Sequence, residues 1–230
     1  MSGGGNPFYP SIDALPPTLP IFPLPGVLLL PRGRLPLNIF EPRYLAMTRD
    51  ALGGDRLIGM IQPQDAEADL AVRPRGAQLP VYTVGCAGRI TQFSESGDGR
   101  FLITLTGIAR FRIANELPLM PGLYRKVTAD WRPFAADLEE PASGAFDRSS
   151  LLAAMRGYFD HRGLGVNWEA VEKAGDETLV SALAMVCPFE PSEKQALLEC
   201  ADLAARARLL LQLVEMDRLA QVTPPTARPQ

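Results

Sequence analysis

A chain of 230 residues with 47% hydrophobic side chains can fill one large core or two smaller ones sharing an interface, which excludes global disorder. Its 23 Lys and Arg stand against 26 Asp and Glu, and the net charge of −3 with a pI near 5.3 leaves no electrostatic footprint for phosphate backbones or anionic lipid. Nucleic acid is therefore a disfavoured partner. Lys occurs only at 126, 173 and 194, so the positive charge is almost all Arg, scattered as a solvated surface would scatter it.

Residues 1–17 are rich in Gly and Pro, lack the basic and apolar parts of a signal peptide, and are expected to be flexible. The longest apolar candidate for a membrane span, Ile21 to Pro31, is short and broken by Pro23, Pro25 and Gly26. From 18 to 135, Pro and Gly punctuate short runs of apolar and β-branched residues, the pattern of a β-rich unit. Strands are predicted at Thr18 to Phe22, Val27 to Leu30, Leu35 to Ile39, Arg56 to Gln62, Val81 to Phe93, Arg100 to Ile108, Phe111 to Ile113 and Leu123 to Trp131. Asp98-Gly99 between two of these runs is a hairpin signal, because Gly tolerates the positive φ of the tight turns. One helix interrupts the strands: Tyr44, Leu45, Met47, Ala51 and Leu52 recur at helical spacing, Pro42 suits its first turn and Gly53-Gly54 stop it.

From about Pro141 the composition turns to Ala and Leu, and 145–220 reads as a helical unit ahead of a frayed tail at 221–230, where Thr223 to Gln230 holds three prolines. Leu151, Leu152, Met155, Tyr158 and Phe159 form one apolar stripe ended by Gly163. Asn167 or Asp176 can cap the helices that follow, with Leu179, Val180, Leu183 and Val186 on a buried face before Pro188. Ser192 and Gln195 have the spacing of a capping box, in which each side chain satisfies the other residue's free backbone N–H. That helix either breaks near Cys200, with Asp202 capping its successor, or runs on to Leu219; no Pro or Gly decides between them, and the reading leans to the break. The whole is an α+β chain.

Enzyme chemistry needs residues that this sequence lacks. Without a Gly-Lys dipeptide there is no phosphate cradle for ATP, and G-x-S-x-G and G-x-G-x-x-G are missing as well. The lone histidine, His161, follows a predicted helix, where a cation faces the negative end of the helix dipole, a structural role. Cys86, Cys187 and Cys200 have neither disulfide parity nor zinc spacing, so no metal site or cofactor is expected and a reducing cytoplasm fits. Cys187, beside Val186 and Pro188, reads as packing. Asp65, Glu67 and Asp69 belong to a polar connector, and Glu139 and Glu140 to an exposed junction. A Ser192 and Lys194 dyad would sit at i and i+2 on a helix start, on different faces. What remains is apolar surface for polypeptide: Phe22, Leu24, Phe40, Tyr44, Phe93 and Phe101 are the candidates, although such periodicity cannot tell core from surface.

The run Leu19-Pro20-Ile21-Phe22-Pro23-Leu24-Pro25-Gly26-Val27, followed by Pro36-Leu37-Asn38-Ile39-Phe40-Glu41-Pro42-Arg43-Tyr44, resembles the opening of the N-terminal substrate-binding domain of Lon proteases. Asp55-Arg56-Leu57-Ile58-Gly59, Val84-Gly85-Cys86-Ala87-Gly88-Arg89-Ile90 and Gly107-Ile108-Ala109-Arg110-Phe111 continue the likeness in order, and Glu193-Lys194-Gln195-Ala196-Leu197-Leu198-Glu199 extends it into the helical part. The resemblance implies a PUA-like β pseudobarrel carrying one inserted helix, then a C-terminal helical bundle, with Gly26, Gly59, Gly85, Gly88 and Gly107 at bends or bulges. Glu41 can cap the inserted helix or pair with a strand Arg such as Arg89. It also implies a non-catalytic module that binds exposed apolar polypeptide and acts as an adaptor or regulator of a protease in trans, because the chain ends where the ATPase would begin. The alternative is a PUA-like protein that binds a small ligand or RNA.

Overall fold

The computed structural model describes residues 11–64, 79–119, 124–139 and 146–222. The connector around Asp65, Glu67 and Asp69, the junction residues Glu140 and Pro141, and the tail from Thr223 lie outside these residues.

Six strands form one mixed sheet: β1 (Thr18–Pro23), β2 (Arg34–Ile39), β3 (Leu57–Ile61), β4 (Val84–Glu95), β5 (Phe101–Glu116) and β6 (Lys126–Asp130), in the order β2-β5-β4-β3-β1-β6. Only the β1 to β3 pairing is parallel. The long β5 pairs β2 and β4 and then reaches β6, so the sheet curls round on itself. Curling gives β3, the first half of β4 and the middle of β5 two buried faces. Leu19, Ile21, Leu57, Ile61, Ala87, Ala109 and Phe111 pack inside the curl with Val127 and Trp131, while Phe22, Ile58, Met60 and Cys86 face the helices on the other side. Side chains alternate across a strand, which explains how one short run serves two cores. Gly59 and Gly85 leave room for the Phe111 ring, which a Cβ at either position would strike, and the register shifts beside Gly88.

Two sequence expectations change here. Val27 to Leu30 is not a strand: Leu28, Leu29 and Leu30 are all buried in an irregular segment between Pro25 and Pro31. A continuous apolar run without alternation looks the same whether it joins a ladder or threads a core, and the flanking prolines withhold donors from any ladder. The runs at Arg100 to Ile108 and Phe111 to Ile113 are one strand, since Gly107 lets β5 continue beneath the irregular segment, with Arg32 N–H donating to its carbonyl and Gly107 N–H to that of Gly33, each at 2.8 Å.

The helices are α1 (Pro42–Gly53), α2 (Arg148–His161), α3 (Trp168–Lys173), α4 (Asp176–Val186), α5 (Pro191–Glu199) and α6 (Leu203–Val222), with 3-10 segments at Ile12–Ala14 and Arg132–Leu138. Asn167 caps α3, but Asp176 is the first residue of α4, behind Gly175, and pairs instead with Arg148 at 2.7 Å. The capping box of α5 is Glu190 with Glu193 rather than Ser192 with Gln195. Pro191, lacking an N–H, takes the first helical position and so sets the cap at Glu190, two residues before Ser192. The break at Cys200 is real, and Asp202 accepts from Ala205 N–H at 2.7 Å. Val186, the last residue of α4, is exposed rather than buried, whereas Leu179, Val180 and Leu183 are covered. Glu41 occupies the N-cap position of α1 without capping, and its carboxylate pairs with Arg43 at 2.8 Å and not with Arg89.

Buried polar side chains dock α5 onto the sheet. Gln195 Nε2 donates to the Val84 carbonyl at 3.1 Å, Lys194 Nζ to that of Gly26 at 2.7 Å, and Gln62 Nε2 to that of Pro191 at 2.9 Å. Burying such groups without partners would be costly, so each contact fixes where the helix sits.

Candidate functional site

The free end of the β4–β5 hairpin exposes large apolar side chains. Gly99, at φ +80°, closes the turn, and Ser96 N–H donates to the Arg100 carbonyl at 2.9 Å. Along β5 the alternation sends Phe101 and Ile103 inward and Leu102 outward, opposite Asn38 of β2 and Ser94 of β4. Phe93 pairs with Ile103 and sets its ring edge-on to Phe101, with centroids 5.1 Å apart. Phe93 stays 43% exposed and Leu102 47%. Phe40, just past β2, is 62% exposed, with the Arg100 guanidinium 5.7 Å from its ring centre. An open groove of about 760 Å³ runs over this end, with Pro36, Phe93, Leu102 and Thr104 among its lining.

The six candidate residues thus divide. Phe40 and Phe93 are both exposed near the hairpin end, Phe40 beside Arg100 and Phe93 beside Phe101. Phe22, Tyr44 and Phe101 lie in the core, Phe22 stacked against Tyr44 at 4.2 Å and Phe101 beneath Arg49, while Leu24 is half-buried. Leu102 escaped the sequence reading, although an apolar residue on the polar face of an alternating strand was a signal that could have found it.

Elsewhere the chemistry is quiet. Ser192 is exposed whereas Lys194 is buried with its ammonium on Gly26, so the two do not form a dyad. Burial pushes the Cys187 thiol up to about 12, against the opposing charge of Lys194, and the thiol packs as a small apolar group. His161 ends α2 in the open. Among the described residues no three His, Cys, Asp or Glu side chains gather as metal ligands would, and no helix is long and apolar enough to cross a membrane.

Comparison with known proteins agrees with this architecture. A family model for the ATP-dependent protease La (LON) substrate-binding domain matches residues 18–216. The chain is 28% identical over 208 residues to Lon protease 2 of Myxococcus xanthus, covering 90% of this chain and 24% of that protein. It is 26% identical over 216 residues to the Lon protease of Anaeromyxobacter dehalogenans, covering 93% of this chain and 25% of that one. It therefore spans about a quarter of the length of these relatives. A Lon N-terminal domain protein from Xanthomonas campestris superposes with a TM-score of 0.56 at 20% identity, over 90% of this chain and 99% of that one. The N-terminal domain of a Mycobacterium avium complex Lon protease also gives 0.56, at 16% identity, over 86% and 98%. With the family match reaching from β1 through most of α6, the chain belongs to the Lon substrate-binding-domain family.

Proposed function

We propose that this chain is a non-catalytic polypeptide-recognition module whose binding face is the hairpin end bearing Phe40, Phe93 and Leu102. The observation that carries the reading is their exposure: Phe93 of β4 and Leu102 of β5 are among the lining of one open groove, and Phe40, just past β2, stands in solvent beside Arg100 at the same end of the sheet. Asn38, Ser94 and Thr104 beside them supply neutral hydrogen-bonding groups for a peptide backbone. The relation to Lon proteases extends the proposal: the bound segment is handed to, or withheld from, a protease acting in trans.

Binding of a permanently unfolded, fluorescently labelled polypeptide, followed by anisotropy, tests it. Wild-type protein is expected to bind at micromolar concentration, and the triple variant Phe40→Ser, Phe93→Ser, Leu102→Ser to bind at least about tenfold more weakly, since apolar anchors dominate such contacts. Absence of binding by the wild type removes the proposal. Undiminished binding by the triple variant moves the face elsewhere.

A further inference from the structure

β2 ends the sheet: among the described residues its one strand neighbour is β5, and its other edge is unpaired. The two residues before β2 fix which backbone groups that edge offers. Arg32 N–H donates to the Gly107 carbonyl and Gly107 N–H to that of Gly33, so two residues oppose one, a bulge entered through Arg32 at φ +62°. Antiparallel bonding alternates from there. Leu35 and Leu37 turn their N–H and C=O to β5, opposite Leu105 and Ile103, while Arg34, Pro36 and Asn38 turn theirs outward. Pro36, which has no N–H, stands at an outward position, as this phase requires. Open space follows the whole edge. The hairpin groove touches Pro36, Leu37 and Asn38, and a second cavity, of about 510 Å³, touches Arg34, Leu35 and Pro36 before reaching Met185 and Val186 of α4.

Resting on the polypeptide-binding reading, we propose that the bound segment adds to the sheet as a strand along this free edge of β2, apolar at alternate residues and carrying a carboxylate beside Arg34. The N–H groups of Arg34 and Asn38 and the carbonyls of Arg34, Pro36 and Asn38 recur at the two-residue repeat of a strand, which another extended backbone matches. A residue opposite Leu35 sends its side chain to the same face as Leu35, towards the cavity walled by Val27 and Met185, where an apolar group fits. The next residue falls on the other face beside Arg34. That guanidinium is exposed and has no ion-pair partner among the described residues, so a carboxylate is matched there and an ammonium repelled. The β2 of a second copy fits worse, because a two-fold axis through Pro36 sets two carbonyls against each other with no donor between them. Pro36 thereby guards the edge against self-pairing and leaves the flanking donors open to a different strand.

Fluorescently labelled peptides that alternate Val with Ser and carry one central Asp or Lys in place of a Ser, titrated into the full chain, decide the matter. Backbone N-methylation is scanned one amide at a time along the Asp peptide. Methylating the alternate amides that face β2 is expected to weaken binding at least about tenfold, while methylating the intervening ones changes it by less than about twofold. Asn38→Pro removes an outward donor without touching the β5 ladder, and should weaken binding of the unmethylated peptide about fivefold with the thermal midpoint little changed. The Asp peptide should bind about threefold tighter than the Lys peptide, and Arg34→Gln should erase the difference. Methylation effects without the two-residue period, equal affinity of the Asp and Lys peptides for the wild type, or undiminished binding by folded Asn38→Pro overturns the assignment. So does a dimer in sedimentation that Asn38→Pro splits, since the edge then belongs to a second copy. The methylation scan uses wild-type protein alone and stands even if Asn38→Pro does not fold. If unfolded polypeptide still binds and depends on Phe93 and Leu102, only the added strand is lost; if it does not bind at all, the recognition reading itself has failed.

Discussion

Arg110 of β5 grips Asp137 of the 3-10 segment with two bonds, Nε to Oδ2 at 2.9 Å and Nη2 to Oδ1 at 2.7 Å, in side chains only 5% and 9% exposed. The remaining nitrogen, Nη1, donates to the carbonyls of Leu198 at 3.1 Å and Cys200 at 2.5 Å, at the end of α5 where helix carbonyls lack partners of their own. One guanidinium thus joins the curled sheet to the helical layer. Arg110→Met strands the Asp137 carboxylate in the interior and is expected to cost about 3–5 kcal/mol, whereas Arg110→Met with Asp137→Leu recovers most of that loss. Urea denaturation of the two variants gives the comparison.

Gly107 and Gly157 should respond oppositely to alanine. A Cβ at Gly107 runs into the Leu30 carbonyl, which is held in the buried crossing of β5, so Gly107→Ala should destabilise by about 3 kcal/mol. Nothing lies near a Cβ at Gly157 on the exposed side of α2, where alanine should stabilise by about 0.5–1 kcal/mol. Thermal unfolding of the pair reports both signs.

The aromatic residues divide by burial, and their stability effects should follow. Phe101→Ala empties a core position and should cost about 3–5 kcal/mol, while Phe40→Ala should change stability by less than about 0.5 kcal/mol. A large loss at Phe40 would mean that it packs against something and is not a free binding residue.

Acid should loosen α2 through its cap. Hydrogen bonds from the Ser149 and Ser150 hydroxyls, each at 2.6 Å, and from Ser150 N–H hold the Asp147 carboxyl well below the usual carboxylate range. The folded pKa lies below the unfolded one, so this stabilisation is complete above the unfolded value and is lost as pH falls through the folded one. In melting curves recorded from about pH 6 down to about pH 2, Asp147→Asn should flatten part of the acid limb. An unchanged limb would show that the carboxylate contributes nothing.

Thiol alkylation in the folded protein should begin at Cys200, which is partly exposed between α5 and α6. Cys86 and Cys187 are buried, with thiols pushed upward by burial, and should react only on unfolding. Mass spectrometry of a timed alkylation separates the three sites.

The strands of alternating residues, the helix between Pro42 and Gly53 and the hairpin at Asp98-Gly99 were readable in the sequence, because each depends on local spacing or a turn residue; the break before Asp202 was one of two open readings, because no Pro or Gly marks it. The order of Gly-bounded motifs also pointed to the family. Tertiary structure decided what spacing cannot encode. Leu28 to Leu30 became buried irregular chain because β5 passes beneath it, and Pro191 moved the cap of α5 to Glu190. Phe101 went inward, beneath Arg49 of α1, while Phe40 and Phe93 stayed in solvent. Periodicity gives each side chain a face; only the packing of distant segments determines which faces meet water.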